Sequence, residues 1–570
     1  MAANPMSAGL APPRVATRQG ATERWRYPIA LLLGVLIASV FVLAIAPSVY
    51  LYRDPDSSFY LEAARRFLDG HGLTVSSGPE KLPATSEPLS LWPPGYPLLV
   101  ALGSALTGVD PVWVAPALSW AAWALIPAAL MFTLGPVLKT TSIYGVAALV
   151  MISPGAAEFA WQPMTDLPFL LLTILSLGLL FRGFEDPTGR RAIILAGLVG
   201  GLAYAVRNAG VALAPAVVAA FALMALTRLT PPSIALRKVA WWMAGFSLVL
   251  IPLQVRNLLV FGGLQPYRMD PSTLGPFANL RYFAAAALND VLAVHGLADA
   301  VVWRDATLLA AALSVAALLW LMRGRLTTTW RGLSNPTRAA AIVLLCHALA
   351  SAGVLIAARS RYEWGEVIGL RHLLQLDWIL IAVAAVVLER GQRMGPPGAA
   401  AARALIAAVF AIRLVYAGEE VAMDRREHAA SEAAQRDGLA DTGSDYRFRL
   451  TVKLAVARDA ELIQAITDLP PGTILGSNYD DVLRVRSGRL VQGVMLGADC
   501  DLRRALRLPE GATAPPRLRL VLFPRPELLR SGCWARLRQG DGLPKPGMLT
   551  RPYLVALDAR EVRTMLEAGR

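Results

Sequence analysis

Long apolar runs recur through most of this chain, and no other feature restricts its fold as strongly. The first, Pro28 to Tyr50, is long enough for a helix to cross a bilayer, which takes about 20 residues. Comparable runs cover Val112–Leu134, Ile143–Ala160, Leu167–Phe181, Ala192–Val206, Ala209–Leu226 and Val239–Val255. Others follow at Ala306–Met322, Ala339–Ala357, His372–Leu388 and Ala402–Ala417, making about 11 spans in all. A chain that is 55% hydrophobic and 17% charged cannot hide this surface from water in one soluble core. The expected fold class is an α-helical polytopic membrane protein. A cleaved signal peptide does not account for the first run, whose apolar core is too long and which many further spans follow. The run Pro97–Leu106 is too short to cross and reads as a juxtamembrane or re-entrant helix.

The net charge of +14 raises nucleic acid as a partner, but the basic residues gather at the ends of apolar runs rather than in one patch. That is the distribution expected when positive charge orients a membrane protein, so no nucleic-acid partner is expected. With the N-terminus inside, the inner loops carry Lys139; Arg182, Arg190 and Arg191; Arg228, Arg237 and Lys238. Later inner loops carry Arg323, Arg325, Arg331 and Arg338, then Arg390, Arg393 and Arg403, whereas Trp161–Asp166 has no basic residue. Counting Pro97–Leu106 as a span would put these clusters outside. The expected organisation is a cytoplasmic tail (1–27), a membrane unit (28–418) whose first outer loop is 51–111, and an outer C-terminal region (419–570). An inner, bacterial plasma membrane is the expected location, with the C-terminal region periplasmic.

Within the C-terminal region, Thr473-Ile474-Leu475-Gly476, Leu518–Phe523 and Tyr553–Leu557 read as short buried strands between helix-like segments. A small α/β domain is the expectation. Cys346 lies in an apolar run and reads as a small buried hydrophobe. Cys500 and Cys533 are either a disulfide in an oxidising compartment or two separate thiols.

Ionisable side chains at membrane depth or at its rim are costly and therefore functional candidates. On the outer face these are Asp54, Asp56, Glu62 and Arg65 in the first loop, then Asp166, Arg207, Arg256, Arg361 and Arg371. A carboxylate there can take a proton from an acceptor hydroxyl, and arginines can hold phosphate oxygens bidentately. Each residue also has a plainer reading. Asp56 and Asp166 each suit a helix N-cap. Arg207 could snorkel to the interface, as could Arg413. Tyr60 and Trp92 suit an interfacial aromatic belt, Glu62 suits local pairing with Arg65 or Arg66, and Arg361 suits a solvated loop. His71 and His372 lack ligand partners at useful spacing, and no glycine-rich nucleotide loop follows a strand.

Several short segments resemble the GT-C class of polyprenyl-phosphate-sugar-dependent membrane glycosyltransferases, which includes protein O-mannosyltransferases and the lipid A aminoarabinose transferase. They are Pro55-Asp56 followed by Tyr60, Glu62, Arg65 and Leu68; Trp92-Pro93-Pro94-Gly95-Tyr96-Pro97; and Thr165-Asp166-Leu167-Pro168-Phe169. Arg256-Asn257 with Phe261-Gly262, Arg371-His372-Leu373-Leu374, and Leu469-Pro470-Pro471-Gly472 through Gly488-Arg489 follow in the same order as in that class. The resemblance implies inverting transfer from a polyprenyl-phosphate sugar to a lipid, glycan or protein acceptor, with Asp56 as general base. Asp166 then supports the acceptor side or a metal, and Arg207, Arg256 and Arg371 hold the donor phosphate. Asp54, Tyr60, Glu62 and Arg361 are possible assistants. Two departures stand out: Leu91-Trp92 occupies positions where some lipid A-modifying members carry a basic residue, and Asp166 has no second acidic neighbour. The second departure leaves a divalent metal ion open rather than implied. The competing function is a transporter or flippase for a lipid-linked anion.

Overall fold

The computed structural model describes residues 19–44, 55–76, 85–185, 189–266, 269–292, 330, 332–363, 368–390, 396–437, 445–508, 513, 515–539 and 555–568. Six helices among them are long and apolar enough to cross a membrane. The first is α1 (Gln19–Ala44), and helicity thus begins eight residues before the predicted boundary at Tyr27, because Ala21–Arg26 contains nothing that breaks a helix. Then come α2 (Pro55–Leu68), a small antiparallel pair β1 (Thr74–Ser76) and β2 (Ser86–Pro88), and α3 (Gly95–Thr107). With 13 residues, α3 is about 20 Å long and too short to span, as expected.

Helix α4 (Pro111–Leu134) opens where the Asp110 side chain accepts from the Val112 amide, with Pro111 in the first turn where no amide partner is needed. The predicted span Ile143–Ala160 is not one helix. It is α5 (Thr140–Met151) and the five-residue α6 (Pro154–Glu158), since Ser153 caps a new helix and Pro154 lacks an amide hydrogen. Next are α7 (Asp166–Glu185), α8 (Arg190–Val206), a 3-10 turn over Asn208–Ala212, α9 (Leu213–Leu226) and α10 (Pro232–Phe261). The predicted span Ala306–Met322 lies outside the described residues. After α11 (Pro276–Leu292) come α12 (Asn335–Arg361), a 3-10 turn over Leu370–Leu373 and α13 (Leu374–Arg390).

Helix α14 (Pro396–Asp437) is 42 residues long, about 60 Å, so it cannot end with the predicted span at Ala417. Gly418 is followed by a strongly helix-favouring stretch of Glu, Ala and Arg with no proline, which carries the helix through the expected boundary. Leu36, Val40 and Leu43 on α1 and Leu248, Ile251 and Leu259 on α10 face outward, as lipid-facing side chains do.

Small residues set how closely the membrane helices approach. On α8, Gly197 and Gly201 are four apart, and a Cβ on Gly197 would stand 2.0 Å from the Trp242 carbonyl oxygen of α10. A Cβ on Gly245 of α10 would stand 1.9 Å from the Ile194 oxygen. The two backbones touch because neither carries a side chain at the crossing. The same logic brings α3 to the end of α8, where a Cβ on Gly95 would lie 2.4 Å from the Ala205 oxygen. These approaches fix where α8 ends, and Arg207 is the next residue.

Beyond α15 (Asp445–Arg458) and α16 (Ala460–Thr467), a four-stranded sheet forms in the order β4-β3-β5-β6. It comprises β3 (Ile474–Ser477), β4 (Val491–Gly493), β5 (Leu518–Leu522) and β6 (Val555–Asp558), and the three predicted strands fall on β3, β5 and β6. Strands β4, β3 and β5 run parallel, and β6 runs antiparallel to β5. The parallel step from β3 to β4 passes through α17 (Asp480–Ser487), as parallel pairing requires a crossover. Leu520 and Leu522 pack with Leu528, Trp534 and Val562, while Val521 between them joins a core that also contains Tyr60 and Leu61. The alternating faces of β5 thus serve two cores.

Cys500 and Cys533 form a disulfide with Cα atoms 5.5 Å apart. Cross-linking residues 33 apart restricts the unfolded chain, so C500S/C533S should cost ~2–4 kcal/mol in this region. The expected result is earlier proteolysis of the C-terminal region on heating, with the membrane helices unaffected; equal protease resistance to wild type would refute it.

Candidate active site

A cavity of about 460 Å³ lies where α2, the Leu91-Trp92-Pro93 loop, α7, the α8 end, α12 and the Leu370–Leu373 turn converge. Four charged residues predicted from the sequence line it: Asp56, Asp166, Arg207 and Arg371. Asp56 and Tyr60 are four residues apart on α2 and share the face that lines the cavity. Because α2 begins at Pro55, Asp56 lies in the first turn rather than at the N-cap position.

The four charges form two pairs of different character. Asp166 Oδ2 lies 2.9 Å from Arg207 Nη1, and the Asp166 side chain is 1% exposed. The contact is an ion pair by distance, although neither Asp166 oxygen receives a well-aligned hydrogen bond. Asp166 therefore does not cap α7 with its side chain. Arg207 also donates to Thr165 Oγ1 at 2.8 Å, and it ends α8 in an extended conformation (φ −147°) that turns it off the helix. The second pair is looser: Asp56 Oδ2 and Arg371 Nη2 are 3.8 Å apart, with side chains 26% and 18% exposed. Both side chains of this pair are partly exposed to the cavity, whereas in the Asp166–Arg207 pair the carboxylate is sealed and only the guanidinium, 20% exposed, reaches it.

Tyr60 lines the cavity near Asp56, Asp166 and Arg207. Its phenol is pushed well above the ordinary tyrosine range, chiefly by burial and then by the Asp56 carboxylate, with Arg207 and a hydrogen bond to Thr165 pulling the other way. It therefore stays protonated and able to donate. The Tyr60 ring packs edge-on against Trp92 and Tyr96, with centroids 5.9 and 5.2 Å away, so it is held from the apolar side too. On the opposite wall Val354, Leu355 and Ala358 of α12 present apolar surface. From Ser351 to Tyr362 the cavity follows α12 for about 16 Å.

The other predicted site residues lie elsewhere. Arg256 does not line the cavity: its Nη2 donates to the Leu89 carbonyl at 2.8 Å and its guanidinium stacks over Phe261, so it braces the loop before Trp92. Arg361 is exposed beside Tyr362, and the buried arginine of that segment is Arg359, paired with Glu363 at 2.7 Å. Glu62 faces away from the cavity, and its partners are not the neighbouring arginines. Glu62 Oε1 accepts from the Ser76 amide at 2.7 Å and Ser76 Oγ at 2.5 Å, and Oε2 faces Arg484 at 3.4 Å. Asp54 lies outside the described residues. Arg413 does not snorkel. It is buried against Asp377, and two opposite charges inside successive apolar runs are the sequence signal for that pair.

Among the described residues no group of three or more His, Cys, Asp or Glu is arranged to hold a metal ion. Among the described residues the two cavity carboxylates each face a guanidinium rather than one another, an arrangement that does not offer a divalent ion a shared set of oxygen ligands.

No protein family and no curated protein matches the sequence. Solved structures do match. ArnT from Cupriavidus metallidurans bound to undecaprenyl phosphate aligns over 95% of this chain and 98% of its own, with a TM-score of 0.51 and 14% identity. The apo state of the same ArnT covers 94% of this chain and 98% of its own, at a TM-score of 0.48 and 14% identity. The Archaeoglobus fulgidus oligosaccharyltransferase in complex with Zn and sulfate matches 87% of this chain and 68% of its own, also at 0.48 and 14%. At such identity the first of these shows a shared fold and no more. The chain shares the overall fold of that ArnT structure.

Proposed function

We propose that this protein is a glycosyltransferase that moves a sugar from a polyprenyl phosphate to a hydroxyl acceptor at the outer face of a bacterial inner membrane. The observation that carries the reading is the partly exposed Asp56–Arg371 pair in a cavity with a long apolar wall, within a fold shared with an undecaprenyl-phosphate-bound protein. A partly exposed carboxylate beside an arginine provides both a proton acceptor and a phosphate ligand within one charge pair.

In the proposed step the acceptor oxygen attacks the anomeric carbon from the face opposite the phosphate, which inverts it. Asp56 takes the acceptor's proton. The bond from the anomeric carbon to the phosphate oxygen breaks, and polyprenyl phosphate leaves with the electron pair. Arg371 turns from Asp56 toward the phosphate oxygens and stabilises their charge as the bond breaks. Asp166 and Arg207 hold the far side of the cavity, and Tyr60 remains a neutral donor between them. The prenyl chain lies along Val354, Leu355 and Ala358. The acceptor is a lipid, glycan or protein hydroxyl.

The test is purified protein with undecaprenyl-phosphate sugar and envelope acceptors, read by mass spectrometry for a new glycosidic bond. Movement of lipid between leaflets without a new bond would support a flippase instead. Arg371→Ala should weaken undecaprenyl phosphate binding by about 10- to 100-fold, because charge-assisted hydrogen bonds contribute ~1.5–3 kcal/mol. Unchanged affinity would remove Arg371 from the phosphate role.

A further inference from the structure

The C-terminal region touches the helix that carries Asp56 on the side away from the cavity, and one buried cation lies at the centre of the polar part of that contact. Arg484 on α17 is 4% exposed. Its Nη1 faces Glu62 Oε2 at 3.4 Å, and its Nη2 donates to Ser58 Oγ at 3.4 Å. The same Nη2 lies 3.3 Å from Asp480 Oδ2 on its own helix. The guanidinium also lies over the Phe59 ring, 4.6 Å from its centroid. Ser58, Phe59 and Glu62 thus meet Arg484 while Asp56 and Tyr60 face the cavity.

Two routes lead from this cation to the cavity. Through Ser58 it holds the α2 backbone two residues from Asp56. Through Phe59 it reaches the wall, because Phe59 stacks on Trp92 at 4.5 Å and Trp92 lines the cavity. A second arginine fastens the far end of α2: Arg65 donates to the Val485 carbonyl of α17 and to both Asp110 oxygens, at 2.9 and 2.7 Å. Val482, Leu483 and Val485 share one apolar core with Tyr60 and Leu61, so α17 and α2 are also packed together. Only a planar, multiply donating cation can bridge two carboxylates and a hydroxyl while stacking on a ring.

We propose that Arg484 is a positioning residue, by which the C-terminal region sets the register of the Asp56 helix and the Trp92 wall for the transfer step. This inference rests on the glycosyl-transfer reading for its kinetic consequence but not for its structural one. A misplacement of about 1 Å at a reacting group costs ~10²-fold in rate. Donor phosphate binding rests on Arg371, which Arg484 does not touch. Loss of Arg484 should therefore fall on kcat rather than on donor affinity.

The experiment uses the full-length protein in detergent micelles. Arg484→Ala and Arg484→Lys should each lower kcat by ~10²-fold while undecaprenyl phosphate affinity stays within about 3-fold of wild type. Lysine should not rescue, since it keeps the charge but not the fork or the stacking plane. Glu62→Gln, which keeps an oxygen for Ser76 to bond, is the variant least disturbing to folding and should lose kcat in the same direction by a smaller factor. Amide exchange supplies the readout independent of sugar transfer. Residues 55–68 should exchange faster in Arg484→Ala, with residues 474–477 and 518–522 unchanged. Equal exchange of 55–68 in both proteins would overturn the proposal, as would parallel acceleration of the sheet, which would make Arg484 a fold stabiliser only. Full rescue by lysine would also overturn it. No sugar transfer by the wild-type protein, together with the selective exchange change in Arg484→Ala, would refute the functional reading and leave the positioning contact standing.

Discussion

Asp56→Asn should lower the turnover of sugar transfer by ~10²–10⁴-fold, the range that a well-placed general base contributes. The change keeps the volume of the side chain and its place in the first turn of α2, so the cavity and the Trp92 wall stay intact. What it removes is the charge that faces Arg371 at 3.8 Å and that we propose accepts the acceptor's proton. Without that carboxylate Arg371 is freer to meet a phosphate, so undecaprenyl phosphate affinity should hold or rise. A fall in kcat with retained binding marks an interaction made in the transition state. Equal kcat for Asp56→Asn and wild type would end the general-base role. Asp166→Asn gives the contrast. That side chain is closed against Arg207 at 2.9 Å, and its loss should disturb the far wall and donor binding together.

The largest stability effect is expected at a buried ion pair between helices. Arg413 on α14 is fully buried, with Nη2 2.5 Å and Nη1 3.0 Å from the Asp377 oxygens of α13, and Nη1 also donates to the Leu149 carbonyl of α5 at 3.0 Å. Three helices therefore meet at one ion pair. Removing either partner leaves a buried charge uncompensated, so Arg413→Ala or Asp377→Ala should destabilise the protein by ~3–5 kcal/mol. Asp377→Leu combined with Arg413→Met should recover most of that loss, because apolar side chains of similar volume need no counter-charge. Thermal unfolding in micelles checks both. A single variant as stable as wild type would show that the pair is dispensable. Neither residue lines the cavity, so kcat per folded molecule should stay within about 3-fold of wild type.

Much of the site was legible because its residues are costly where they stand. Asp166, Arg207 and Arg371 interrupt apolar runs at one predicted rim, and a charge at such a place needs a partner or a cavity. The structure gives each of them both. Arg256 and Arg361 satisfied the same rule and yet do not reach the cavity, because an arginine side chain can turn to either side of its helix and the sequence does not say which. Arg256 turns to the Leu89 carbonyl and Arg361 to solvent. Glu62 was placed among local arginines by its spacing, but Ser76 and Arg484 hold it instead. Arg484 carried no sequence signal at all: within Asp480–Ser487 it reads as one more charge on a short polar helix.

Helix boundaries divide along the same line. Apolar runs predicted α4, α7, α8 and α12 within four residues at each end, since hydropathy and length are local properties, whereas α10 extends well beyond its predicted run at both ends. The break at Ser153-Pro154 was readable from capping chemistry but was masked by the apolar residues on both sides. The continuation of α14 through Gly418 was masked for the opposite reason, because the helical backbone continues while its side chains change from apolar to charged.

The sequence by itself determined that this is a membrane-spanning helical protein, where its β3, β5 and β6 strands fall, and which charges are too expensive to be idle. Each of these follows from the cost of placing one side chain in lipid or water. Only the tertiary structure decided the pairings. Asp56 faces Arg371 while Asp166 closes on Arg207, Cys500 meets Cys533, and α17 lays Arg484 behind the helix of Asp56. Those choices depend on which helices touch, and that is set by the volumes at their crossings, such as the bare backbones of Gly197 and Gly245.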